Sequence, residues 1–160
     1  MYPRFDTKSL PDHTILRFDP VPGASRYAVK LVEESGHSVF DVETQLTAIA
    51  VPASVLRPGS RYHWEVHTVE RTGPLKQGEE EFSTLSEDDI QQRAALHAAL
   101  QKQNDAASLA LIADVDQRLG LWMEAREEFQ SAIAKAPTDS NYRQALMEMD
   151  KRLVAAMGRR

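Results

Sequence analysis

The chain has no cysteine. That absence removes disulfides, thiolate nucleophiles and Cys-ligated zinc together, while leaving the cellular compartment open. No apolar run reaches the ~18 residues of a membrane-spanning helix, and the first residues lack the apolar core of a secretory signal. The chain therefore reads as cytosolic or as the soluble part of something longer, with no direct membrane insertion. Charge of one sign is not concentrated either. Residues 1–85 hold 9 Lys/Arg against 12 Asp/Glu (−3), and residues 86–160 hold 10 against 12 (−2). Nucleic acid needs a positive cluster to neutralise its phosphates, so it is excluded as a partner class; only Arg159-Arg160 is locally basic. Gly59, Gly73, Gly78 and Gly120 are isolated and have no phosphate-cradling spacing. No Gly-, Ser- or Pro-rich stretch makes a flexible tether between halves.

What is present changes period once, near Leu85. Before it, apolar residues recur every second position in short segments; from Ser86 they recur with a period of about 3.6 in long ones. Strands are predicted at His13–Phe18, Arg26–Glu33 with Tyr27, Val29 and Leu31 on one face, Ser38–Glu43 at a sheet edge, Thr47–Val51, Arg61–Thr68, and Glu81–Leu85. Residues 1–12 carry little pattern; 1–9 are expected to be weakly structured, at most a loosely attached edge strand. Thr72-Gly73-Pro74 reads as a turn, and Glu79-Glu80-Glu81 as charges at a strand entrance that discourage edge pairing. The stretch Leu56-Arg57-Pro58-Gly59-Ser60-Arg61-Tyr62-His63-Trp64-Glu65-Val66 organises this half. A turn runs into a strand with Tyr62, Trp64 and Val66 on one face and Arg61, His63, Glu65 and His67 on the other.

Phe18-Asp19-Pro20-Val21-Pro22-Gly23-Ala24-Ser25-Arg26-Tyr27-Ala28-Val29, the Leu56-to-Tyr62 stretch and Phe82 together resemble a bacterial fibronectin type III-like domain over roughly Thr14–Leu85. The resemblance implies a two-sheet sandwich in which Tyr62 forms a tyrosine corner, its hydroxyl bonding back to the chain just upstream. It departs at Phe18, where many members have Trp.

The helical half opens at the Ser86 cap with acidic residues in the first turn. Helices are predicted from there to about Gln103 through Ile90, Ala94, Leu96, Ala99 and Leu100; from the Asn104-Asp105 cap to Leu119, with Gly120 as a left-handed C′ residue; from Trp122 to Ala136; and from the Asp139-Ser140 cap to about Met157. Leu109, Ile112, Ala113, Gly120, Trp122, Ala125, Phe129, Ala132 and Pro137 resemble a tetratricopeptide repeat (TPR) over about 106–139. Trp122 and Phe129 fill the seam that the small alanines leave. Asp116 departs from that pattern, standing where the family usually has a large side chain. The resemblance implies a peptide- or protein-binding surface of Ala107, Ala110, Asp114, Gln117 and Arg118, without the Lys and Asn pattern that clamps a C-terminal carboxylate.

The expectation is therefore an α+β chain, all-β then all-α. A sandwich occupies 10–85, a TPR-like helical unit follows at 86–157, and 158–160 is a tail; two such small units are expected to share an interface. The function expected is a non-enzymatic protein–protein interaction or scaffold module with no cofactor, by analogy part of a bacterial envelope protein and periplasmic rather than cytoplasmic. A glycan- or ligand-binding accessory domain is the alternative. A second is a metal-dependent enzyme at His63, Glu65 and His67, although side chains about 7 Å apart along one strand converge poorly on a metal. His13, His37 and His97 show no triad order, and both tryptophans are expected in cores. The sequence specifies neither the partner nor the oligomeric state.

Overall fold

The computed structural model describes residues 1–4, 7–69, 77–100 and 102–157, with the backbone alone at 77 and 155–157. The expected turn at Thr72–Pro74, with Gly73, and the basic tail lie outside the described residues. The chain is α+β and divides into two compact units, Met1–Ile90 and Gln91–Arg160.

The described strands of the first unit are β1 (Lys8–Ser9), β2 (Ile15–Arg17), β3 (Tyr27–Glu33), β4 (Ser38–Thr44), β5 (Ala48–Ala50), β6 (Arg61–Thr68) and β7 (Gln77–Thr84). They form a mixed five-stranded sheet in the order β1-β7-β6-β3-β4 and a separate β2-β5 pair. Period-two patterning decides which side chains go inside. Register sets Val29 across from Val66 and Leu31 across from Trp64, and these four pack with Leu16, Phe18, Tyr27, Val51, Leu56, Tyr62 and Phe82 in one core. Phe18 meets Tyr27 edge-on, with centroids 4.8 Å apart.

The Leu56–Ser60 turn is fastened from several sides. Gly59 takes φ +68°, which a side chain resists, and its N–H donates to Leu85 O at 2.8 Å. The Arg57 N–H donates to the Tyr62 hydroxyl at 2.7 Å, and Thr84 Oγ1 donates to Arg57 O at 2.6 Å.

The N-terminal segment supplies an edge strand and is tied down along its described residues. Tyr2 bridges to Arg17, β1 runs parallel to β7, and the buried Trp64 indole N–H donates to Pro3 O at 2.9 Å. An indole buried this deeply needs an acceptor, and it finds one 61 residues away in sequence, where no local pattern points. β7 is longer than expected and contains the acidic run: Glu79 and Glu81 lie opposite Glu65 and His63, while Glu80 lies opposite Trp64. Gly78 is a residue of β7, and a Cβ there would fall on the Met1 thioether.

In the second unit the helices are α1 (Glu87–Leu100, whose first turn belongs to the first unit), α2 (Ala106–Leu119), α3 (Trp122–Lys135) and α4 (Ser140–Met157). Asp105 caps α2 by accepting the Ser108 N–H at 2.7 Å, and that bond holds its carboxyl below the ordinary range. Gly120 ends α2 in the left-handed region at φ +83°, so α3 folds back immediately. Ala113, Ala125, Phe129 and Met149 form the core, with Trp122 half-buried against them. In α1, Ala94 and Ala99 are exposed, and the partly buried stripe is Ile90, Arg93, Leu96, His97 and Leu100. α4 begins 34 residues after α2, the spacing of an internal repeat.

Candidate functional site

The second unit holds a cluster of ionisable side chains drawn from three helices. At its centre, Asp116 of α2 has 0% exposure. Arg93 of α1 meets it with both prongs of the guanidinium, Nε to Oδ1 and a terminal nitrogen to Oδ2, each at 2.7 Å. This bidentate fork is the geometry in which arginine binds carboxylates most strongly. His97, one turn along α1, places Nε2 3.7 Å from Asp116 Oδ1, a Coulombic neighbour beyond hydrogen-bond reach.

α3 adds two more carboxyls. Burial pushes the Glu124 carboxyl above its ordinary range; Arg93 partly offsets this, and Asp116 and Glu127 add to it. Glu128 is raised for the same leading reason, with His97 and Arg93 opposing and Asp116 and Glu127 adding. Glu124 Oε2 and His97 Nε2 are buried without a hydrogen-bond partner. An unsatisfied buried acceptor favours the protonated carboxyl, which agrees with the upward shift. With no exposed surface, Asp116 offers nothing to an external substrate. What the cluster does is tether α1 to the α2–α3 hairpin through charge. A smaller version recurs one helix pair later, where Arg126 Nε of α3 donates to Asp150 Oδ1 of α4 at 3.0 Å.

The residues expected to bind a partner lie on the other side of α2. Ala107 and Arg118 are exposed, and Ala110, Asp114 and Gln117 are partly so. Arg118 and Asp114 pair at 2.8 Å across one helical turn, an arrangement worth a few tenths of a kcal/mol. Leu111 stands beside them at 48% exposure. Ala110 packs against the core of Ala113, Ala125, Phe129 and Met149, so the open part of the strip is Ala107, Leu111, Asp114 and Arg118, with a preset charge pair at one end.

In the first unit, Arg61, His63, Glu65 and His67 share the face of β6 opposite the core. They pair with neighbours and do not converge: Arg61 with Glu34 at 3.9 Å, His63 with Glu79 at 4.0 Å, and His67 with Glu65 at 3.3 Å. Among the described residues, no group of three His, Asp or Glu is placed to hold a metal. Arg61 and His63 border a shallow cleft of about 210 Å³ with Glu34, Glu81 and Ser83. Tyr62 and Trp64 are buried in the core. No protein-family model and no curated protein matches the chain. Among the described residues, no helix is long and apolar enough to cross a membrane.

Sequence reasoning missed Arg93, His97, Glu124 and Glu128. A signal existed in Asp116, a carboxylate at a core position of α2. Such a residue demands a cation from a neighbouring element, and Arg93 and His97 both fall on the Ile90/Leu96/Leu100 side of α1.

Proposed function

We propose that this chain is a non-enzymatic protein–protein interaction module, built from a fibronectin III-like sandwich and a TPR-like helical unit, which receives a protein or peptide on the outer strip of α2. The observation that carries the reading is that strip: the small, exposed Ala107, the exposed Leu111 and the Asp114–Arg118 pair on one helical face, with Ala110 half-buried at its inner margin. Small side chains let an incoming backbone approach, an exposed leucine supplies apolar area, and a fixed charge pair supplies orientation. Three further features support the component assignments. The Arg57 N–H bonds to the Tyr62 hydroxyl as a tyrosine corner requires; α2 and α4 are offset by 34 residues; and Ala113 and Ala125 sit at the α2–α3 crossing with Phe129.

The test is a comparative affinity capture followed by mass spectrometry, with the wild-type chain against Asp114→Ala/Arg118→Ala. Both residues are largely solvated, so the double variant keeps its fold, checked by circular dichroism. A partner retained by the wild type and lost at least ~10-fold by the variant supports the reading. An identical set of captured proteins contradicts it.

A further inference from the structure

α2 and α4 occupy equivalent places in the 34-residue repeat, yet only one of them is covered. On α2, Ala113 and Asp116 point into the helical unit; Ala113 packs with Ala125 and Phe129 of α3, and both residues have 0% exposure. Thirty-four positions on, α4 carries Met147 and Asp150, with Val154 one turn further. Asp150 is held by Arg126 as Asp116 is held by Arg93, but 41% of its side chain is open to solvent. Met147 is 59% and Val154 61% exposed. The other face of α4 is satisfied, because Met149 is buried in the core with Ala145 and Leu146 against it. α4 thus has a second apolar strip, about a third of a turn from the first, with no covering helix among the described residues. Met147, Asp150, Lys151 and Val154 line one shallow groove along it.

The order of residues in that groove identifies the occupant. Reading along α4 gives apolar 147, acid 150, base 151, apolar 154; reading backwards gives apolar, base, acid, apolar. We propose that the groove is covered by α4 of a second copy of this chain, antiparallel, about a two-fold axis passing between Asp150 and Lys151. That operation sets Met147 against the partner's Val154 at both ends and Asp150 against the partner's Lys151 twice in the middle. It is an isologous, closed contact in which one patch complements itself. The helix contact is small, so the dimer is weak, with a dissociation constant on the order of 100 µM. This surface is separate from the outer strip of α2, and the two readings stand or fall independently.

The decisive experiment is sedimentation equilibrium of the full chain from about 10 µM to about 1 mM. The expected result is a weight-average mass rising from 18.0 kDa towards twice that value. Met147→Lys and Val154→Glu, each at an exposed position, weaken association at least ~10-fold when present singly. Mixing the two singly substituted chains, or combining both substitutions in one chain, restores association, because the antiparallel pairing sets each lysine against a glutamate. Lys151→Glu, which faces a partner's Asp150 with like charge, is a further variant that weakens the dimer without touching an apolar residue. A monomer at every concentration overturns the proposal and leaves the groove to a different protein. A dimer indifferent to these substitutions, or one that the mixture fails to restore, also overturns it.

Discussion

Arg93 and Asp116 show how much depends on a pair rather than on either member. Removing the cation strands a carboxylate with no exposed surface, so Arg93→Met is expected to cost about 3–5 kcal/mol, whereas Arg93→Met/Asp116→Leu, which exchanges the pair for apolar volume, is expected to be nearly neutral or stabilising. Native-state hydrogen exchange of the slowest amides in α2 and α3 reads both; no loss in the single variant would show that the fork is dispensable, and equal losses in the two would show that a stranded carboxylate is not the cause. Tyr62 makes a smaller prediction. Tyr62→Phe leaves the Arg57 N–H without its acceptor and is expected to cost about 1–2 kcal/mol; an unchanged denaturation midpoint would remove the corner from the account. The sequence exposed these two sites unequally. Tyr62 follows a Leu-x-Pro-Gly turn by a fixed short spacing, so its partner is local. Asp116 is 23 residues from Arg93, and only its misfit in an apolar pattern hinted at a buried charge.

At the scale of the element, α1 is the least regular piece, because its inward stripe mixes Ile90, Leu96 and Leu100 with Arg93 and His97. A reading that counts only apolar residues does not single out this side, because Ala94 and Ala99 are exposed while Arg93 and His97 are half-buried. Strands were legible because alternation fixes their faces, whereas β1 and the length of β7 were not, since their pairing is set by contacts distant in sequence. The α1–α3 cluster also makes this region pH-sensitive. Glu124 and Glu128 have carboxyls raised in the fold above their ordinary 4.5. Their contribution to stability is complete below that value and is lost as pH rises through the raised ones. Exchange protection in α1 is therefore expected to fall as pH rises above the ordinary carboxylate range, and Glu124→Gln, which keeps the neutral form, to flatten the fall; the same slope in wild type and variant would assign the effect elsewhere. Gly120→Ala tests the α2–α3 turn. At φ +83° it is expected to cost about 1–2 kcal/mol, and a neutral result would mean that the turn relaxes.

On the scale of the whole molecule, two units of different class each place polar surface outward around a buried core, and two surfaces compete for the role of partner site. On β6 the side chains of Arg61, His63, Glu65 and His67 each lie against a neighbouring side chain. On α2 the strip Ala107, Ala110, Asp114, Gln117 and Arg118 is half open, with Ala107 and Arg118 exposed, Ala110 against the core and an exposed leucine beside it. The division into a β half and a helical half was plain from the change of period near Leu85, but the choice between these faces depends on exposure and pairing, which a linear pattern does not encode. Site-specific photo-crosslinking compares them directly, with the probe at Ala107 in one chain and at His63 in another, each exposed to the protein's native milieu. The account predicts a discrete, competable adduct from position 107 that is abolished by Asp114→Ala/Arg118→Ala, and none from position 63. A discrete adduct from position 63 with none from position 107 would contradict it.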